Sequence, residues 1–104
     1  MWAQLIRMRL KPGQDTTEMI KQIRDAEQPG SGLVRSLMMR DQHDPGLIHT
    51  LVVFESEEKA RAREQDPRRT ERLAAARSIM ADIFEGPPEF TDLEVIDEWT
   101  DVTE

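Results

Sequence analysis

The stretch Leu33 to Phe54, LVRSLMMR-DQHDPG-LIHTLVVF, decides the fold. Leu33 to Arg40 and Leu47 to Phe54 are rich in branched or long apolar side chains, and Asp41-Gln42-His43-Asp44-Pro45-Gly46 between them consists largely of residues that favour turns. Two strands clasped around that loop follow. The second is so nearly continuous in apolar residues that it predicts a central strand buried on both faces.

Upstream, Trp2 to Leu10 alternates, with Trp2, Gln4, Ile6, Met8 and Leu10 on one side and Ala3, Leu5, Arg7 and Arg9 on the other, which reads as a first strand. Lys11-Pro12-Gly13 breaks it. Asp15 followed by Glu18 predicts a helix start in which the two side chains satisfy each other's free backbone donors, and Met19, Ile20, Ile23 and Ala26 continue at helical spacing. Gln28-Pro29-Gly30-Ser31-Gly32 ends that helix. Downstream, Ser56 is the expected N-cap of a short helix with Glu57 and Glu58 in its positive first turn. Asp66-Pro67 opens another helix, striped by Leu73, Ala76, Met80, Ile83 and Phe84 and stopped by Gly86-Pro87-Pro88. Phe90 to Trp99 reads as the last strand, and Thr100 to Glu104 as a frayed tail.

The order β-α-β-β-α-β specifies an α+β class: a ferredoxin-like antiparallel sheet with helices on one face, as a single domain over residues 1–104. The uncovered sheet face calls for a partner, and a second copy of the chain is the simplest one. A homodimer is therefore expected. A chain of this length buries only about two-thirds of its unfolded surface by itself, which strengthens the need for a cover.

Composition narrows the chemistry. With 38% hydrophobic and 34% charged residues the chain is of the globular class, and no apolar run approaches a bilayer-spanning length. The absence of cysteine excludes disulfides, a thiolate nucleophile and Cys-ligated metal centres. A start that reads straight into a strand, without secretory features, predicts a cytoplasmic location. The net charge of -7 repels phosphate backbones and anionic lipid, so neither nucleic acid nor a membrane is an expected partner. Arg61, Arg63, Arg68, Arg69, Arg72 and Arg77 cluster in sequence, but Glu64, Asp66 and Glu71 are interleaved, and the run reads as a solvated helix face.

Strand one, Pro12-Gly13, Pro29-Gly30-Ser31-Gly32, the run Leu51-Val52-Val53-Phe54-Glu55-Ser56-Glu57-Glu58, Asp66-Pro67 and the closing strand together resemble the antibiotic biosynthesis monooxygenase family over nearly the whole chain. The resemblance implies a dimeric α+β barrel with a ligand pocket between helices and sheet. It also implies a small monooxygenase that needs no cofactor and acts on an aromatic quinol or polyketide-like substrate. The alternative is a non-catalytic dimeric ligand-binding or interaction protein of the same fold. The haem-degrading branch uses an Asn, a Trp and a His where Ile6, Arg63 and Arg72 stand, and an arginine that does not deprotonate is no axial iron ligand. Haem degradation is accordingly not expected.

The oxygenase branch holds phenolic substrates with Asn, Trp, Tyr or Arg. Asn and Tyr are absent, which leaves Trp2, Gln4, His49 and the helical arginines as substitutes. His49, inside an apolar strand, is the candidate catalytic base, with a structural or dimer-contact role as the alternative. By their match to the family pocket, Gln4, Ile6, Phe54 and Arg72 are the candidate substrate-binding residues, the alternative being that Ile6 and Phe54 are core and Arg72 faces water. His43, with Asp41 and Asp44 beside it, reads as an exposed turn, and no metal site is expected. Arg7 and Arg9, facing the partner, are expected to pair with Glu94, Asp97 or Glu98.

Overall fold

The computed structural model describes residues 1–100 and runs β1 (Trp2–Leu10), α1 (Thr17–Ala26), β2 (Leu33–Arg40), β3 (Leu47–Phe54), α2 (Glu57–Glu64), α3 (Pro67–Ile83) and β4 (Phe84–Glu94). The tail expected from Thr100 lies, from residue 101 onward, outside the described residues. The strands form a four-stranded antiparallel sheet in the order β2-β3-β1-β4. β1 and β3 are the inner pair, with Trp2 opposite Phe54, Gln4 opposite Val52, Ile6 opposite Thr50 and Met8 opposite Ile48. This is the ferredoxin-like α+β arrangement.

Strand alternation divides the sheet into two faces. On the helix side, Met8, Leu10 and Ile48 pack with Met19, Ile83 and Phe84, and Ile20, Ile23, Ile79 and Met80 close around them. Met19 is wholly buried, which is worth about 1.5–3 kcal/mol in transfer free energy. A second cluster joins Trp2, Val52, Phe54 and Ala60, and Ile6 packs against both. The opposite face carries Leu5, His49, Leu51, Val53, Leu37, Met39 and Leu93. Leu37 is 44% and Met39 43% exposed. β3 is interior, as expected, but not buried on both faces: Ile48, Thr50, Val52 and Phe54 are buried while Leu47, His49, Leu51 and Val53 are half-buried, because no helix covers their side.

Three local expectations are corrected. The reciprocal cap at α1 does not form: Asp15 accepts from the Thr17 amide, but Glu18 accepts from the Gln22 side chain one turn on. The last strand begins at Phe84 and ends at Glu94, so Gly86-Pro87-Pro88 lies inside it. There the pairing to β1 shifts, with Arg9 opposite Glu85 but Arg7 opposite Glu89, and an edge strand tolerates proline in such a bulge. Arg7 approaches Glu89 at 4.0 Å and Arg9 grips both oxygens of Asp44 at 3.1 and 2.7 Å, so the partners are not Glu94, Asp97 or Glu98.

The caps of the other helices form as the sequence implies. The Ser56 hydroxyl accepts from the Lys59 amide and the Asp66 carboxylate from the Arg68 amide, with Pro67 in the first turn. Gly32, at φ +84°, lets the β2 entry approach α2; a Cβ there would sit 2.7 Å from the Lys59 side chain.

Candidate functional site

The first residues of β1 and the last of β3 end beside one another, and Ser56 turns the chain from β3 directly into α2. That places Arg61 and Arg63 over the aromatic end of the sheet. The Arg61 guanidinium lies 5.1 Å from the Trp2 ring centroid and that of Arg63 5.2 Å from the Phe54 ring. The two rings are tilted at 41° with centroids 6.1 Å apart. Both placements are cation–π geometries.

A polar chain runs beside them. Gln4 Nε2 donates to Asp92 Oδ1 at 3.0 Å, and Arg61 Nη2 donates to Asp92 Oδ2 at 3.0 Å. Arg61 is also held by Glu57 at 3.3 Å and Glu64 at 3.4 Å. The Gln4 hydrogen bond first, and then the Arg61 guanidinium, hold the Asp92 carboxyl below its usual range. Asp92 is thus a poor proton acceptor near neutrality. The Asp92 hydrogen bond raises the Arg61 pKa in turn. The chain borders an open depression of about 480 Å³ between Trp2, the Glu55–Glu57 turn and Asp92–Glu94.

Deeper on the same sheet face, Thr50 stands between Ile6 and Met38 in the strand register and is 6% exposed. Its hydroxyl has no hydrogen-bond partner among the described residues. A buried hydroxyl without a partner is uncommon and costs stability.

The structure places the sequence candidates as follows. Gln4, Ile6 and Phe54 share the helix-facing side, with Phe54 only 3% exposed and Ile6 packed between the two core clusters. His49 points to the other face, opposite Arg7 and Met39, so the sheet separates it from Gln4. Arg72 is exposed on α3 and touches none of these groups. Asp92, which is not among the candidates read from the sequence, and Arg61, covered there only as one of the helical arginines, complete the cluster. The signal for Arg61 was the direct step from Phe54 through Ser56 into a helix; the signal for Asp92 is the β1–β4 register, which a bulge conceals. In the hairpin, the Asp41 carboxylate accepts from the His43 and Asp44 amides and Asp44 is taken by Arg9. The loop's acids are engaged in turning the chain.

No family sequence model matches the chain, and no curated protein matches it in sequence. Solved structures match its fold. NE2512, a protein of unknown function from Nitrosomonas europaea, aligns over 98% of this chain and 95% of its own at 17% identity and a TM-score of 0.71. A candidate antibiotic biosynthesis monooxygenase from Chloroflexus aurantiacus aligns over 94% and 98% at 21% identity and a TM-score of 0.61. SnoaB, a cofactor-independent oxygenase from Streptomyces nogalater, aligns over 96% and 97% at 13% identity and a TM-score of 0.68. The chain has the antibiotic biosynthesis monooxygenase fold. Within that fold the Gln4–Asp92–Arg61 chain and Thr50 both lie on the helix-facing side of the sheet.

Proposed function

We propose that the protein is a small monooxygenase that holds a planar phenolic or quinol substrate against the Trp2 end of the sheet and uses no cofactor. The observation that carries this reading is Arg61 lying over Trp2 while it and Gln4 share Asp92: an aromatic platform beside an amide and a guanidinium donor. Those groups suit a flat, electron-rich ring with an ionised oxygen. The substrate supplies all the electrons. In an anthrone-type phenol a ring CH₂ reacts with O₂ to give a carbonyl and water. In a quinol a ring C–H becomes C–OH as the ring is oxidised to the quinone with loss of water, so either equation balances without an external reductant. The protein's part is to favour the substrate anion with Arg61 and Gln4. Asp92, with its lowered pKa, is a poor base and His49 lies on the other sheet face, so the substrate proton passes to solvent water at the open depression.

The reading includes a homodimer built on the open sheet face. Leu37, Met39 and Leu93 are exposed there beside half-buried Leu5, Leu51 and Val53, an apolar surface of the kind that two copies cover symmetrically. His49 lies on that face and is a dimer contact in this reading. The test is oxygen uptake by the pure protein with a panel of quinols and anthrone-type phenols. Turnover above a heat-treated control, lost in Arg61→Ala and Gln4→Ala, is the expected result; no uptake on any of them removes the oxygenase reading.

A second reading, a dimeric binding protein without turnover, is favoured by one observation. The one carboxylate hydrogen-bonded to Gln4 among the described residues is the acid-shifted Asp92, and the candidate base His49 lies on the other face of the sheet. A phenol that raises the thermal midpoint without consuming oxygen decides for it.

A further inference from the structure

The run of arginines read from the sequence as a solvated face does not all face solvent. Arg63, Arg68, Arg69 and Lys59 line a separate cleft of about 120 Å³, together with the Gly30-Ser31 turn between α1 and β2 and the acidic residues Glu27 and Asp66. Three of these cations have carboxylate partners. Arg63 holds Glu27 through Nε and Nη2, Arg68 holds Asp66 at 2.8 Å and Lys59 holds Glu55. Arg69 has none: no carboxylate of a described residue lies within ion-pair distance of its half-buried guanidinium, and the like charges of Arg63 and Arg77 act on it alongside the more distant carboxylates of Glu27 and Glu64. Burial first, then Arg63, lower the Arg69 pKa by more than Glu27 and Glu64 raise it.

The turn adds to the lining. Gly30 and Gly32 take positive φ values of 75° and 84°, and neither the Gly30 nor the Ser31 amide donates to a described residue. Free amides in a glycine-containing turn, facing a fork-shaped cation without a partner, are the components of an oxyanion site. The cleft is far below the roughly 300–1,000 Å³ of sites that enclose a drug-sized ligand, and its half-open form admits one anionic group while the remainder of a molecule stays outside.

We propose that the Arg69 cleft binds a phosphate group, either free inorganic phosphate or the phosphate of a monoester. It is independent of the oxygenase reading, which concerns the Trp2 end of the sheet. The cleft attracts its ligand against the field of a chain with net charge -7, so its affinity comes from local contacts and falls with added salt.

The experiment is a titration of ¹⁵N-labelled protein at low, constant ionic strength with inorganic phosphate, phenyl phosphate and acetate. Saturable movement of the Gly30 and Ser31 amides with phosphate, weaker by about tenfold in Arg69→Gln, supports the site. Arg69→Lys, which keeps the charge but not the fork, is expected between the two and serves where Arg69→Gln does not fold. Saturation by phenyl phosphate alone assigns a monoester; saturation by both assigns the phosphate group itself. Equal response to acetate, no saturation, or unchanged affinity in both Arg69 variants overturns the proposal.

Discussion

Arg61 of α2 and Asp92 of β4 meet at 3.0 Å, and this contact ties the helix that follows β3 to the edge strand of the sheet. The same guanidinium covers Trp2, so one side chain both bridges two elements and shields an aromatic ring. Its ion pairs are solvent-exposed, where they contribute little to stability. Arg61→Ala should leave the thermal midpoint almost unchanged while increasing acrylamide quenching of Trp2 fluorescence, measured in a Trp99→Phe background because Trp99 is 88% exposed. Quenching equal to that of the parent would show that Arg61 does not cover the ring.

Thr50 offers a sharper contrast between stability and function. Its buried hydroxyl lacks a partner, and Thr50→Val replaces it with a methyl group of similar shape. The variant should be more stable by about 1 kcal/mol, with the midpoint raised by about 4–8 °C. It should also lose response to any ligand that reaches this point on the sheet. A lowered midpoint in calorimetry would show that the hydroxyl is satisfied.

Acid should unfold the protein through its paired carboxylates. Burial alone would raise the Glu27 pKa, but the hydrogen bonds from Arg63 and Ser31 outweigh it and bring the folded value below the ordinary one. Asp15, Asp44, Asp66 and Asp92 are lowered as well. A depressed folded pKa means that the unfolded chain binds protons first as pH falls. The stabilisation is complete above the ordinary values near 4 and disappears as pH drops through the folded values. Glu27→Gln should cost about 1–2 kcal/mol at pH 7, between the exposed and fully buried limits, and much less at pH 3. Denaturant melts at the two pH values provide the comparison, and an equal loss at both would contradict it.

Leu37 and Met39 test the open sheet face. In the proposed homodimer, replacing both with Asp introduces four like charges at the two-fold contact, and the light-scattering mass should then be that of a monomer where the parent gives that of a dimer, with helix content retained. An unchanged mass would place any self-association elsewhere.

The element order, three of the four strand spans and two helix caps were legible in the sequence, because each rests on a local rule: alternation in Trp2–Leu10, turn chemistry at Asp41–Gly46, capping at Ser56 and Asp66. What escaped depended on register. Gly86-Pro87-Pro88 has the composition of a helix stop and a loop, and only its pairing with β1 shows it to be a bulge. That bulge sets Asp92 opposite Gln4. Arg72 matches the family pocket only by its position along the chain, whereas the turn at Ser56 into α2 places Arg61 and Arg63 over the aromatic rings. His49 illustrates the period-two rule: one position from Thr50 along β3, it belongs to the other side of the sheet.

The bulge at Gly86-Pro87-Pro88 also governs how the molecule avoids unwanted company. Two adjacent prolines on the outer margin of β4 present no amide hydrogens, and the kink there spoils the straight template that an incoming strand would need. Fibre growth by lateral strand addition is disfavoured on that border, which leaves the β2 edge and the stacking of layers as the routes to self-association.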